Sequence, residues 1–199
     1  LEKDHYVREA WAFVGNYPDD IAGFDLLRYS ADILVKNGAH EEALDRMTLL
    51  LKRYPGVSGS EEVSLDRCQL EEDLGRYDQA LECYREHMIR YGFSPELSLR
   101  VADMAVERLD NPQAALSILN EALATGEETP HRQAMEAKIS YLESFEIVAG
   151  LEKMARHHGG QPSAPGFLMS AARVKIRLSL PGEAVALFMK VADEYPTSP

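Results

Sequence analysis

Residues 40–44, "HEEAL", begin like the helix of a zinc protease, where two histidines one turn apart hold the metal and an adjacent glutamate acts as base. Leu44 stands where the second histidine must be, so the segment cannot ligate. His157 and His158 are neighbours, which on a helix turns their rings about 100° apart and away from a shared ion. Followed by Gly159 and Gly160, they read as a helix C-terminus whose imidazoles face the negative end of the dipole. "GGQPSAPG" at 159–166 is glycine-rich but has neither the lysine nor the preceding strand of a phosphate loop. His5, His87 and His131 fall on separate expected helices, and acidic runs such as Glu71-Glu72-Asp73 and Glu127-Glu128 lie at helix ends or turns, as solvated faces do. No catalytic residue, metal ligand or cofactor is expected, and the chain does not read as an enzyme.

Two further residues could carry chemistry. Cys68 and Cys83 are too few for a disulfide framework and sit on neighbouring expected helices. They read first as reduced, buried thiols, with a single bridge formed in an oxidising compartment as the alternative. Helix-to-helix thiol geometry is not a property of spacing alone.

Charge narrows the partners. The 199 residues carry 21 Lys and Arg against 33 Asp and Glu, a net charge of −12. Phosphate backbones and anionic bilayers are repelled by such a chain, so nucleic acid is not an expected partner. No run approaches the roughly 18 apolar residues of a membrane span, so no direct membrane insertion is expected. The chain reads as soluble, in the bacterial cytoplasm or periplasm. It opens on Leu1, as a processed product or a piece of a longer protein would.

The elements that position these residues are legible in an internal echo. "NGAHEEALDRMTLLLKRYP" at 37 returns as "GRYDQALECYREHMIRYG" at 75, "DNPQAALSILNEALATG" at 110 and "SLPGEAVALFMKVADEYP" at 179. A small residue follows each turn, at Ala43, Ala80, Ala115, Gly150 and Ala184, with spacings of 37, 35, 35 and 34. After it comes an apolar ladder at one, four and eight residues, as in Leu44, Met47 and Leu51 or Leu81, Tyr84 and Met88, which is one stripe of a helix. Two helices joined by a short turn approach within about 8–10 Å only over a small side chain, which these residues supply. Gly38 and Gly75 are placed to close a first helix in the left-handed conformation. Elsewhere proline opens the helix, at Ser94-Pro95, Asn111-Pro112, Thr129-Pro130 and Leu180-Pro181.

Eleven helices are expected, over 4–17, 21–37, 40–53, 60–74, 77–91, 95–109, 112–125, 130–143, 146–157, 165–178 and 181–195. No strand signal competes. The period and "GRYDQALECY" resemble the tetratricopeptide repeat family, a helix-turn-helix unit of about 34 residues. The resemblance implies one all-α solenoid over 1–199. Its parts would be the second helix of a truncated repeat at 1–18, then repeats at 21–55, 60–92, 95–126, 130–160 and 165–196, with the 130–160 unit irregular. Helix 181–195 carries an apolar arc about twice the ~100° of a one-sided helix, so further packing beyond it is expected.

The resemblance further implies a non-enzymatic protein-interaction scaffold that takes a peptide or helix in a groove lined by first helices. Carried over by position, the lining is Asp25, Arg28, Asp32, Val35 and Lys36, then Glu62, Leu65, Gln69, Glu72 and Asp73. It continues with Leu97, Arg100, Met104, Glu107 and Arg108, with Arg132, Met135, Ile139, Leu142 and Glu143, and with Met169, Arg173, Ile176 and Arg177. The expected partner-binding residues are Arg100, Met104, Arg108, Arg132, Met135, Met169, Arg173 and Arg177, suited to an acidic amphipathic segment. The lysine and asparagine clamp of the chaperone-tail-binding members is absent. Self-association through terminal helix faces is the alternative. Tyr-Pro endings such as that of "DEYPTSP" also resemble helical-repeat proteins of the bacterial envelope, giving an accessory domain of an envelope-biogenesis complex as a third reading.

Overall fold

Apolar ladders at helical spacing, interrupted every dozen or so residues by glycine or proline, dictate short amphipathic helices that must pair to hide their stripes. The computed structural model describes residues 2–126 and 131–196 and shows ten helices among them, with no strand. They are α1 (Glu2–Asn16), α2 (Ala22–Lys36), α3 (His40–Arg53), α4 (Ser60–Asp73), α5 (Tyr77–Tyr91), α6 (Pro95–Leu109), α7 (Pro112–Ala124), α8 (Arg132–His157), α9 (Ala164–Arg177) and α10 (Pro181–Glu194). Thr129-Pro130 and Glu127-Glu128 lie outside the described residues.

The chain divides into two compact units, Leu1–Thr125 and Gly126–Pro199. In the first, α2 packs on α3, α4 on α5 and α6 on α7 as hairpins, and each hairpin meets the next through α3 with α4 and α5 with α6. Each helix therefore contacts its sequence neighbours, the nearest-neighbour logic of repeat arrays. Ala43, Ala80 and Ala115 are fully buried, as crossing residues must be. The ladder residues Met47, Tyr84, Met88 and Leu119 are buried behind them. Phe24, Leu27, Leu50 and Tyr54 form one cluster with Val14 and Val63. Cys68, Tyr84, Met88, Val101, Met104 and Ile118 form another.

Helix ends follow local chemistry. Gly38 and Gly75 take φ of 77° and 74°, the left-handed turn that only glycine enters without a Cβ penalty. The corresponding turns at 110 and 179 use Asp110 at φ 49° and Ser179 at φ 60°. Ser94 and Asn111 cap α6 and α7 by accepting hydrogen bonds from the backbone N–H groups of Leu97 and Ala114, with Pro95 and Pro112 at the first helical positions.

The second unit departs from the expected pattern. Helices expected at 130–143 and 146–157 are one helix, α8, 26 residues long. No glycine, proline or asparagine stands between Glu143 and Glu146, so nothing there stops propagation. Gly150 costs about 1 kcal/mol against alanine in mid-helix, too little to break it. Its exposure corrects its assignment as a crossing residue, since a Cβ built on it would meet nothing within 4 Å. Val148 of α8 instead packs with Ala171 and Val174 of α9, and Leu187 of α10 lies against them. Within α10 only Ala184 is buried, while Val185 and Met189 are exposed.

The two cysteines are bridged. Cys68 of α4 and Cys83 of α5 form a disulfide with their Cα atoms 5.3 Å apart, within the range such a bridge spans. Of the two readings left open by the sequence, reduced thiols or a single bridge, the structure has the bridge: the α4–α5 hairpin brings both cysteines together, where each is at most 6% exposed.

Candidate functional site

Asp32, Val35 and Lys36 of α2 and Gln69 and Asp73 of α4, all groove positions in the repeat register, line one cleft of about 390 Å³. Met47, Asp66 and Leu70 complete it. Those three were missed by position counting, although Asp66, Leu70 and Asp73 recur at four and three residues along one face of α4. The cleft is acidic, with three carboxylates against the ammonium of Lys36 among its lining. Partial burial, and then repulsion from Asp32, hold the Asp66 carboxyl above its ordinary range. Arg28 opposes that shift and Glu62 adds to it. An acidic segment would be repelled here.

Arg100 of α6 does not stand free. It donates to Gln69 Oε1 at 2.8 Å and to Glu72 Oε2 at 3.3 Å, and also hydrogen-bonds the Tyr84 hydroxyl. Tyr84 donates to Glu72 Oε2 at 2.7 Å. Burial and then this bond to an anion raise the Tyr84 hydroxyl well above the usual phenol range, against the opposing pull of Arg100, so it stays protonated. Arg108 lies with its guanidinium 5.7 Å from the Tyr77 ring centroid. Met104, at 6% exposure, belongs to the core with Tyr84, and Met135 is 2% exposed. Neither offers an apolar lining to a partner, a correction to its expected role. The ninth position of α6 faces inward because Met104 packs into the cluster of Cys68, Tyr84 and Ile118, whereas the polar Gln69 at the same position of α4 lines the cleft.

The second unit holds the other expected residues. Arg132 pairs with Glu136 at 3.1 Å one turn along α8. Met169, Arg173 and Arg177 recur every four residues on α9, forming one stripe, with Met169 half-buried and both arginines exposed. Neither arginine makes an ion pair among the described residues. Arg177 opens on a cleft of about 490 Å³ between α8 and α9, lined also by Tyr141, Ser144, Ile147, Val174 and Leu178. It is the one charged side chain in that lining. Tyr141 stacks on Phe145 with centroids 6.4 Å apart, and Phe145 and Ile147 are about half exposed.

Among the described residues no three His, Cys, Asp or Glu side chains could hold a metal ion, and no helix is long and apolar enough to cross a membrane. What the first unit presents is a tetratricopeptide-like array of helix hairpins, recognisable from its own register and buried alanines. No family model matches the chain, and no curated protein does. Among solved structures it is similar to a tetratricopeptide repeat protein from Parabacteroides merdae, at 17% identity and TM-score 0.47, over 96% of this chain and 79% of that one. It is similar to YrrB, described as a tetratricopeptide protein with an unusual peptide-binding site, at 15% identity and TM-score 0.46, over 94% and 93% of the two chains. A MamA RS-1 double mutant matches at 17% identity and TM-score 0.47, over 87% and 95%.

Proposed function

We propose that this chain is a non-enzymatic protein-interaction scaffold, and that its second unit takes an acidic amphipathic segment of a partner. The observation that carries this is the α8–α9 cleft, where Arg177 is the lone charge beside Tyr141, Ile147, Val174 and Leu178, with Arg173 one turn away. Apolar side chains of the segment would cover the tyrosine and isoleucine while its carboxylates meet the two guanidiniums, the anchor-plus-charge pattern of helix-in-groove recognition. A fluorescein-labelled amphipathic helix of leucine and glutamate is the probe. Reversing Arg173 and Arg177 to Glu should weaken its binding about tenfold or more. Unchanged affinity in a variant that melts like the parent overturns the assignment.

Self-association is a second reading, favoured by Val185 and Met189, which stand 54% and 61% exposed on α10. A concentration series in sedimentation separates the two, since assembly increases the mass and segment capture leaves a monomer. The disulfide supports an oxidising compartment, and so the periplasm over the cytoplasm.

A further inference from the structure

The first unit reverses the sign of the protein at one place. A cleft of about 490 Å³ between α3, α4 and α5 is lined by Leu51, Lys52, Arg67, Glu86, Ile89 and Arg90, with the hydroxyls of Thr48 and Ser64. Three cations meet one carboxylate there, in a chain whose acids outnumber its bases 33 to 21. The one acid is already committed, because Arg67 donates to Glu86 Oε2 at 2.9 Å. Arg67 is only 20% exposed and also donates from Nε to Cys83 Sγ at 3.3 Å, so it is held in place from beneath the cleft. Lys52 and Arg90 are exposed and make no ion pair among the described residues. Beside them Ile89 is 72% exposed, the highest value among the large apolar residues described.

Lys52 and Arg90 stand in the last turns of α3 and α5, where the negative helix end favours a cation, but neither charge is neutralised by a carboxylate among the described residues, and the exposed isoleucine beside them gains nothing from water. Together they match the requirements of an interface patch, with an apolar anchor at the centre and charge at the rim that sets the sign of what docks.

We infer that the cleft between α3, α4 and α5 is a docking surface for an acidic, apolar-bearing segment of a partner protein, with Ile89 as anchor and Lys52 and Arg90 as its charge contacts. Charge complementarity selects that occupant: a basic segment would meet the two unneutralised cations Lys52 and Arg90, and the acidic α2–α4 cleft on the other side of α4 is open to it instead. None of these residues belongs to the first-helix groove positions, since Lys52 lies on α3 and Ile89 and Arg90 on α5. The surface is thus additional to the α8–α9 cleft. It rests on the scaffold reading for the kind of partner and on none of the same side chains.

The test uses the whole chain, isotopically labelled, with the leucine–glutamate amphipathic helix as probe and a leucine–lysine helix as its opposite. The acidic helix should shift the amide signals of Lys52, Ile89 and Arg90, and the basic helix should leave them in place. The double variant Lys52→Glu/Arg90→Glu should lower affinity at this surface about tenfold or more, and more steeply at low salt, while melting like the parent. Should that variant fold poorly, Ile89→Ser at the most exposed site should lower the affinity alone. The inference is overturned if the three signals do not move, if the basic helix moves them equally, or if both variants bind as the parent does. Loss of binding in Arg173→Glu/Arg177→Glu alone, with Lys52→Glu/Arg90→Glu unaffected, would sink this surface and leave the α8–α9 assignment standing. The opposite pattern would do the reverse.

Discussion

Reducing the Cys68–Cys83 bridge separates a covalent constraint from everything else that holds α4 against α5. The two cysteines are 15 residues apart, and a cross-link closing a loop of that length removes unfolded-chain entropy equivalent to about 3 kcal/mol in the chain-entropy account. For a chain of this size, 1 kcal/mol moves the melting temperature by roughly 2–4 °C, so the reduced protein should melt about 6–12 °C lower. Reduced wild type is the cleanest comparison, because its side chains differ from the oxidised protein only by two hydrogens. Both half-cystines are buried, so reduction should be done by unfolding in reductant and refolding there. Circular dichroism follows the melt, and a thiol titration in denaturant checks that the oxidised sample has no reactive sulfhydryl. Two titratable thiols in the oxidised sample would show that the bridge does not form. A bridge with no change in melting would refute the entropy reasoning, because the hairpin would then be constrained in the unfolded chain without it.

Ala80→Leu should cost about 1–3 kcal/mol by overpacking the α4–α5 crossing, where Ala80 is fully buried against Cys83 and Tyr84; denaturant titration reads the loss. Gly150→Ala should instead raise stability by up to about 1 kcal/mol, since the position is helical and a Cβ there meets no neighbour. His87 is 5% exposed, and burial depresses its imidazole pKa below the ordinary value. The unfolded chain therefore takes up the proton first, and stability should fall as pH drops through the ordinary histidine range toward the folded pKa. A His87→Phe variant should lose that acid sensitivity, and an unchanged pH–stability curve would refute the assignment.

Much of the helical framework was legible in the residues themselves. The stripes that follow Ala43, Ala80 and Ala115 repeat with a helical period, and burial of a stripe is a local consequence of its spacing. Helix starts were legible for the same reason, because Ser94-Pro95 and Asn111-Pro112 act on backbone groups within a few residues. Gly38 and Gly75 announced their turns through a conformation only glycine adopts freely, whereas Asp110 and Ser179 enter it at a Cβ cost at the ends of α6 and α9 and signal it less plainly. Tertiary structure alone decided what depended on a second element. Cys68 and Cys83 lie on different helices, so their bonding followed from how α4 meets α5. Met104 was a groove residue by position and became core because it packs into the cluster of Cys68, Tyr84 and Ile118, drawn from three other helices. Sequence spacing orders charges along one helix, but the sign of a cleft is a sum over helices. That sum set Asp32 against Asp66 on one side of α4 and gathered Lys52, Arg67 and Arg90 on the other.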